Sequence, residues 1–361
     1  MKINKVKLFN FRNYENEEVC FNDGLNVLIG NNAQGKTNLV EAINFCSIGK
    51  SHRTSKDKEL IRFNQDQCKI FVELQKIEGK KTIEIILSNS LKKIVKINGL
   101  SILRIGELME NLNCIFFSPN DLKLVKEMPE ERRRFIDIDL SQMSKIYFYN
   151  LLKYDKILSQ RNKLLKESFD KIQAERTIFV WDEQLSDIGS KIISKRIEFI
   201  KELSIIAKKI HYKLTDNKEE LKLFYSGLND ENIPLLKAQL LDYFKKNLEK
   251  DVNLGYTSFG PHRDDIKITC NDIDIRNYGS QGQQRTVALS LKLAELEIFK
   301  NVTNQYPILI LDDVLSELDN SRAEVLLNSI QNVQTLLTCT TFEHNIKCTK
   351  YKIENGHCKK I

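Results

Sequence analysis

Apolar and polar residues alternate through much of the first hundred positions, a period of two that predicts half-buried β-strands. The alternating runs include Lys5–Leu8, Glu18–Phe21, Thr82–Ile85 and Ile94–Ile97. Polar or glycine-containing segments such as Asn98-Gly99 follow them and favour turns. The first part of the chain is therefore predicted to be rich in β-structure.

The pattern changes after Ser118-Pro119-Asn120-Asp121, where a proline and helix-capping residues precede a long stretch with few glycines or prolines. A helical domain is predicted there. In one part of it apolar residues recur at steps of three and four, at Ile193, Ile197, Ile200, Leu203, Ala207 and Ile210. Basic residues occupy the remaining positions, at Lys191, Lys195, Arg196, Lys201, Lys208, Lys209 and Lys213. Such a face is typical of a solvated helix, and nucleic-acid binding is the alternative.

Strand and helix patterns alternate again after Gly255. They indicate a strand at Ile266–Ile268, a helix over Gln283–Phe299, a buried strand at Ile308–Leu311 and a final hairpin around Asn355-Gly356. The predicted fold class is therefore α/β, with an antiparallel β part. We expect residues 1–120 and 255–361 to form one domain, and residues 121–254 to form a mainly helical domain inserted into it.

Composition narrows the class of protein. The 361 residues carry a formal net charge of +7, which favours polyanionic partners. The eight cysteines include no CxxC pair, which argues against a zinc site and fits reduced thiols. The N-terminal residues lack the apolar core of a signal peptide, and no apolar run reaches the roughly 18 residues that a membrane span needs. We expect a cytoplasmic protein without a membrane partner.

One segment has the spacing of a phosphate-binding loop, G-x-x-x-x-G-K-[ST], between an apolar strand and a helix. Its residues, the candidate nucleotide ligands, are Gly30, Asn31, Asn32, Ala33, Gln34, Gly35, Lys36 and Thr37. Backbone N–H groups would face the phosphates, Lys36 would reach the β- and γ-phosphates, and Thr37 would bind Mg²⁺. The sequence therefore predicts binding of ATP with Mg²⁺, and an ordinary glycine turn is the alternative.

Two carboxylates follow the apolar strand at Ile308–Leu311. A buried strand would deliver Asp312 beside Mg²⁺ and Asp313 one residue further on. We therefore predict that Asp312 binds the metal and that Asp313 is the general base or orients water. Taken alone, such a pair is often a helix-capping turn, but the upstream phosphate loop favours the catalytic role.

Two more segments resemble the ATP-binding cassette ATPases. Ser280-Gln281-Gly282-Gln283 opens a helix and is similar to their signature motif, and Ser316-Glu317-Leu318-Asp319 matches their D-loop in position. In that superfamily the signature of one subunit covers the γ-phosphate bound by its partner. The resemblance implies that Ser280, Gly282 and Gln283 contact nucleotide across an ATP-dependent head-to-tail homodimer.

Further segments, in order along nearly the whole chain, resemble the RecF family of bacterial replication and recombination-repair proteins. They are Leu8–Tyr14, Gly49–Thr54, Phe117–Leu122, Arg132–Asp137, Gln160–Asn162 and Gly260–Asp265. This family is similar to the ABC-type ATPase heads of SMC proteins, with a compact helical lobe instead of a long coiled coil. The resemblance implies binding to duplex and gapped DNA, cooperation with RecR and RecO, and a role in DNA repair, replication restart and the SOS response.

Parts of the cassette pattern are displaced. Threonines occur in Leu336–Thr341, where a switch histidine is expected, and His344 lies a few residues late. No glutamine can be placed in a Q-loop. These departures predict slow hydrolysis and favour a switch that holds ATP. Together with the RecF resemblance, they make a weak, DNA-stimulated ATPase the expected activity.

Several single residues have two interpretations. Arg12 and Arg53 flank the phosphate loop and are either phosphate contacts or surface arginines. Arg132-Arg133-Arg134 either faces DNA or solubilises a helix. His52 and His262 lack partners at metal-ligand spacing, so we do not expect either to bind a metal. We predict instead that His262-Arg263 forms polar structure near the junction of the two lobes.

Other functions share the nucleotide motifs. A transporter subunit would need membrane partners, and a nuclease of the overcoming-lysogenisation type would need an acidic nuclease domain after the ATPase. A clamp that binds ATP without hydrolysing it is the remaining alternative, and only ATP turnover separates it from a slow ATPase.

Overall fold

The computed structural model describes residues 1–121, 124–168 and 171–361, so Leu122 of the Phe117–Leu122 segment lies outside the described residues. The chain divides into two compact units, residues 1–123 with 285–361, and residues 124–284. The second unit ends at Gln284 rather than at 254 because a strand after Gly260 pairs with a strand inside the insertion. No helix within the three described ranges is both long and apolar enough to cross a membrane.

The first unit contains an antiparallel sheet of six strands in the order β2-β1-β4-β5-β6-β7. Its strands are β1 Lys2–Phe11, β2 Tyr14–Cys20, β4 Gln67–Lys76, β5 Gly79–Ser88, β6 Ile94–Ile97 and β7 Leu100–Ser101. Buried and exposed residues alternate along β4 and β5, as the sequence period predicted. The predicted β-rich first part is confirmed.

A second sheet of the same unit has the order β15-β14-β3-β13-β12-β8. Its strands are β3 Leu25–Ile29, β8 Cys114–Phe117, β12 Ile308–Asp312, β13 Thr335–Cys339, β14 Thr349–Glu354 and β15 His357–Lys360. All neighbours in it are parallel except the terminal β14–β15 hairpin. The carboxyl ends of β3 and β12, which precede the phosphate loop and Asp313, therefore lie at the same edge with β13 between them.

Helix α1, Lys36–Ile48, lies between the two sheets and contacts strands of both. Ten of its thirteen residues are buried. This burial explains why α1 has no polar face, because a helix packed on both sides is apolar around most of its circumference. The unit is completed by α9, Asn320–Ser329, and by α8, Gln281–Thr303, from Arg285 onward.

The second unit is mainly helical. Its helices are α2 Pro129–Met143, α3 Lys145–Glu167, α4 Lys171–Leu214, α5 Ile233–Lys246, α6 Leu248–Leu254 and α7 Ile275–Tyr278. The unit also contains a small sheet in the order β11-β10-β9, formed by β9 Leu221–Ser226, β10 Asp265–Cys270 and β11 Ile273–Asp274. Strand β10 covers the predicted segment at Ile266–Ile268, whereas β9 was not predicted because the region around it has helical composition.

The basic stripe of α4 differs from the prediction at one position. The apolar residues from Ile193 to Ala207 are buried as expected, but Arg196 is buried with them. Its guanidinium donates to Asp137 and, at 2.5 Å, to the Pro261 carbonyl. Arg196 therefore forms a structural ion pair with Asp137, and its assignment to a solvated or DNA-facing surface was wrong.

The three arginines of the Arg132-Arg133-Arg134 cluster lie in different environments. Arg132 is buried and forms a bidentate pair with Asp265, at 2.6 and 2.9 Å. Arg133 donates to the backbone carbonyl of Asp264 at 2.8 Å. Only Arg134 of the three is exposed, so Arg132 cannot contribute to a DNA-binding face.

Candidate functional site

The phosphate loop has the tight geometry that its glycines permit. A Cβ atom on Gly30 would lie 2.3 Å from the carbonyl oxygen of Ile353 in β14, so a larger residue would push that strand away. Gly35 has a φ of 119°, in the region that favours glycine, and its carbonyl accepts a hydrogen bond from the Tyr14 hydroxyl. Ala33 also has a positive φ, 65°.

Side chains and backbone groups around the loop hold its shape. Asn13 donates to the Gln34 carbonyl at 3.0 Å, and the backbone N–H of Gly356 donates to the same oxygen at 3.1 Å. The side chain of Gln34 accepts from the Asn355 N–H at 2.7 Å. The predicted β14–β15 turn therefore contacts the loop, a role that the sequence alone did not indicate.

The start of α1 fits a bound phosphate. The helix has no side-chain cap at its N-terminus and no acidic residue in its first turn, so its positive end is not neutralised by the protein. The Lys36 ammonium lies above the loop, where it donates to the carbonyls of Gly30 and Asn31 at 2.6 and 2.9 Å. A phosphate in the loop would offer this cation stronger acceptors.

Thr37 and Asp312 meet although they are 275 positions apart. The Thr37 hydroxyl donates to Oδ1 of Asp312 at 2.9 Å, and the Thr338 hydroxyl donates to the same oxygen at 2.7 Å. A hydroxyl and a carboxylate side by side are the oxygen ligands that Mg²⁺ prefers beside a nucleotide. The two residues singled out as metal ligands are therefore adjacent, and they fit Mg²⁺.

Asp313 is held in a left-handed backbone conformation, with φ 56° and ψ 26°. Its N–H donates to the hydroxyl of Thr338 at 3.0 Å. Partial burial, together with the neighbouring charge of Asp312, raises the pKa of the Asp313 carboxyl above its usual value. A raised pKa is the direction that a general base requires.

Arg12 is placed beside the loop but its donors are directed at protein groups. It forms a bidentate pair with the buried Glu41, at 2.8 and 3.0 Å, and donates to the Glu59 carbonyl at 2.9 Å. Ser51 and Arg53 also contact Glu41. Burial opposes ionisation of Glu41, but these donors outweigh it and lower the pKa of Glu41. Arg12 remains a candidate nucleotide ligand on the evidence of its position alone.

A basic groove with a volume of about 1070 Å³ lies on this side of the unit. Its walls include Asn13, Asn38, Arg53, Lys58 and Arg62. Arg53 donates to Asn38, and Asn38 donates to Asn13, which holds the phosphate loop. A chain of hydrogen bonds thus connects the groove with the loop.

The signature segment, Ser280–Gln283, forms a reciprocal helix cap. The Gln283 N–H donates to the Ser280 hydroxyl at 3.2 Å, and the Ser280 N–H donates to the Gln283 side chain at 3.0 Å. Ser280 is exposed, whereas Gly282 and Gln283 are half-buried. The Ser280 side of this helix start is therefore the more accessible one.

The D-loop, Ser316–Asp319, is anchored in the first unit. The Arg285 guanidinium donates to the side chain and the carbonyl of Glu317, at 2.8 and 3.0 Å. Ser316 donates to the Asp313 carbonyl at 2.7 Å. The D-loop is thus bonded to the residue that is expected to orient water.

Sequence reasoning missed residues that connect these motifs. Thr338 lies near the end of β13, where its hydroxyl donates to the Asp312 carboxylate and accepts from the Asp313 N–H, whereas the late His344 contacts the ring of Phe342. His52 is half-buried against Phe116, and burial lowers its pKa. Its Nδ1 has no hydrogen-bond partner among the described residues. A polar residue at the end of a buried strand was the available signal for Thr338.

Comparison with known proteins gives the family of this chain. Residues 2–352 match the family model described as the RecF/RecN/SMC N terminal domain. The chain is 46% identical over 366 residues to the DNA replication and repair protein RecF of Clostridium tetani, with 99% of each chain covered. It is 48% identical over 348 residues to that of Alkaliphilus oremlandii, covering 95% and 94%. The chain belongs to the RecF family.

Solved structures agree with this assignment to the RecF family. The recombination mediator protein RecF-ATPrS of the RecFOR pathway superimposes with a TM-score of 0.93 at 34% identity, covering 100% of this chain and 98% of that chain. The RecF-ATP structure of the same pathway gives 0.91 at 34% identity, covering 99% and 97%. An SMC head bound to a winged-helix domain of ScpA is similar in fold, with a TM-score of 0.57 at 16% identity. The predicted ABC-type ATPase fold is confirmed.

Proposed function

We propose that this protein is an ATP-dependent DNA-binding switch that acts in recombinational DNA repair and replication restart. The observation that carries the proposal is the meeting of Thr37, Asp312 and Thr338 beside a phosphate loop whose helix N-terminus is uncapped. Similarity over nearly the full length to DNA replication and repair proteins, and to solved structures of RecF with ATP, supports the same function.

ATP and Mg²⁺ are the proposed ligands. Gly30 to Thr37 would surround the phosphates with backbone N–H groups, and Lys36 would supply the cation. Thr37 and Asp312 would hold the Mg²⁺ ion, which neutralises phosphate charge when bound. Asp313 would orient water for slow hydrolysis, and Arg12 would face the nucleotide only after exchanging a contact with Glu41 or Glu59.

The homodimer is the proposed active form. An exposed Ser280 at the start of α8 offers a hydroxyl and helix N–H groups that suit a phosphate bound by a second copy. ATP would then stabilise association, and hydrolysis would release it. We propose that the dimer binds duplex DNA near gaps, with RecR and RecO as partners in the RecFOR pathway.

Light scattering with ATP and with ADP tests this function. Lys36→Ala should lose ATP binding and the ATP-dependent dimer, because it removes the cation nearest the phosphates. The control is Lys50→Ala, since Lys50 is an exposed lysine just beyond α1. Unchanged ATP affinity in folded Lys36→Ala would contradict the assignment of the loop.

Two further variants separate hydrolysis from association. Asp313→Asn should retain ATP and accumulate a dimer that ADP does not support, because water is no longer oriented. Ser280→Arg should bind ATP as a monomer, because it places bulk and charge where the partner's phosphate would lie. Ser280→Thr keeps the helix cap and is the control. A normal ATP dimer in Ser280→Arg would refute the composite site.

A clamp that binds ATP without turnover remains the second candidate. The hydroxyl of Thr338 in place of a switch histidine favours it, because threonine cannot exchange a proton as histidine does. ATP turnover by the native protein that does not exceed the background without protein, and that Asp313→Asn leaves unchanged, would support the clamp.

A further inference from the structure

Three metal-ligating side chains meet in the second unit, outside the nucleotide site. His211 lies near the end of α4, Glu219 shortly before β9, and Cys270 at the end of β10. Strand pairing sets Leu221 opposite Cys270 and thereby brings Glu219 to the same end of the sheet. One ligand atom from each lies within 4.8 Å of the other two. His211 and Cys270 are buried, and Glu219 is half-buried.

The distances in this His-Glu-Cys cluster are within about 0.3 Å of those around a small cation. His211 Nε2 and Glu219 Oε2 are 3.1 Å apart, and Cys270 Sγ lies 3.4 Å from each. A tetrahedral zinc ion at its usual bond lengths separates its nitrogen, oxygen and sulfur ligands by about 3.3–3.6 Å. We propose that His211, Glu219 and Cys270 form a binding site for Zn²⁺ or a similar thiolate-binding transition-metal ion.

Hydrogen bonds cannot explain all three contacts among His211, Glu219 and Cys270. An ionised carboxylate only accepts, a thiol carries one proton, and a neutral imidazole nitrogen carries at most one. Two protons at most are therefore available for three contacts. If His211 and Cys270 both donate to Glu219, no proton lies between the nitrogen and the sulfur. A cation at the centre would engage one lone pair from each of the three atoms.

The donor set selects the kind of metal. Thiolate and imidazole favour Zn²⁺ and related ions, whereas Mg²⁺ and Ca²⁺ prefer oxygen ligands. Three protein ligands leave a fourth position for water, and the half-buried Glu219 provides access. Burial and the Glu219 carboxylate raise the pKa of Cys270 to about 12, so binding must release the thiol proton.

The site connects directly with the signature segment. The Gln283 amide donates to the second oxygen of Glu219 at 2.8 Å, and its carbonyl accepts from the Ser280 N–H at 3.0 Å. A bound ion would therefore fix the carboxylate that positions Gln283 and Ser280. This link to ATP rests on the proposed function, whereas metal binding itself does not.

Cobalt(II) is a direct probe, because a thiolate ligand gives it a charge-transfer band in the near ultraviolet. The untagged full-length protein, stripped of metal, should bind one Co²⁺ per chain with this band, and Zn²⁺ should abolish it by displacement. Cys270→Ala should lose the band. Cys68→Ala should retain it, because Cys68 is equally buried but lies in β4 of the first unit.

Glu219→Gln provides a second test if Cys270→Ala fails to fold. It keeps an acceptor for Gln283 while removing the anionic ligand, so the Zn²⁺ affinity measured by calorimetry should fall at least about tenfold. Absence of the cobalt band in the native protein would overturn the site. A band of equal strength in Cys270→Ala, or unchanged Zn²⁺ affinity in Glu219→Gln, would also overturn it. These outcomes do not depend on ATP binding, so the proposed function can fail separately.

Discussion

Thr338→Val tests whether the hydroxyl that bonds the Asp312 carboxylate and the Asp313 N–H positions the candidate nucleotide site. Valine has nearly the same shape, and Thr338 is fully buried, so the change removes the hydroxyl with little repacking. In the native protein this hydroxyl donates to Asp312 at 2.7 Å and accepts from the Asp313 N–H at 3.0 Å. Thr338 would thus be a positioning residue, acting on the proposed Mg²⁺ through Asp312.

The expected magnitude follows from these two bonds. A hydrogen bond to a charged group contributes about 1.5–3 kcal/mol, and a neutral one about 1 kcal/mol. The loss is partial, because Thr37 still donates to Asp312 and the Thr338 carbonyl still accepts from Asp313 at 3.3 Å. Valine also buries an extra methyl group. We expect a net loss of about 1–2 kcal/mol in the free energy of unfolding.

The assay combines urea unfolding with ATP titration at several Mg²⁺ concentrations. A misplaced Asp312 should weaken Mg²⁺-dependent ATP binding or turnover by about tenfold, which corresponds to roughly 1.4 kcal/mol. Binding of ATP without Mg²⁺ should change little. Thr338→Ser keeps the hydroxyl and should retain the native Mg²⁺ dependence, although it loses a buried methyl group and with it about 1 kcal/mol in the free energy of unfolding. If the valine and serine variants have the same Mg²⁺ dependence, the hydroxyl does not position Asp312.

Three other predictions follow from contacts within single units. Arg161 is fully buried between Asp182 and Asp251, at 2.6 and 2.8 Å. Arg161→Met should lower the free energy of unfolding by about 3–5 kcal/mol, because two carboxylates lose their partner. In the same urea titration the control Lys163→Met, at an exposed position of the same helix, should change the free energy of unfolding by less than about 0.5 kcal/mol. Burial lowers the pKa of His262 to about 4, so the unfolded chain takes up a proton at this residue first as pH falls. Between pH 6.5 and 4 the free energy of unfolding of the native protein should therefore fall by up to about 3 kcal/mol relative to that of His262→Gln. Parallel pH profiles of the two proteins would refute this. Changing Lys195, Lys208 and Lys209 to Gln, with Arg196 left intact, should reduce the salt dependence of duplex DNA binding if α4 contacts DNA, and an unchanged slope would make that face a solvated surface.

The elements of the candidate nucleotide site could be predicted because they are local in the sequence. The phosphate loop, the strand before it and the helix after it are contiguous, and a buried strand ending in two aspartates is recognisable by itself. Parallel pairing then explains why Thr37 reaches Asp312, since β3 and β12 both lie beside β13. The role of Thr338 depends on that strand order, which a periodic pattern does not specify.

Buried arginines could not be predicted from periodicity. Arg196 and Arg132 occupy helical positions that composition assigns to a solvated face, yet both are buried. Their carboxylate partners are 59 and 133 positions away, at Asp137 and Asp265. A buried guanidinium requires such a partner, and only the tertiary structure supplies it. Charge patterns along one helix therefore overestimate the surface available to DNA.

The same reasoning limits what cysteine spacing can exclude. The lack of a CxxC pair argues only against a metal knuckle built from one short segment, because that rule assumes ligands that are close in sequence. His211, Glu219 and Cys270 come from a helix end, a loop and a strand, and the pairing of β9 with β10 brings the last two together. Strand pairing joins Thr37 to Asp312 in the first unit in an equivalent way. In both units the chemistry of the site thus depends on which strands are neighbours, and metal titration of the second cluster tests that conclusion where no motif was available.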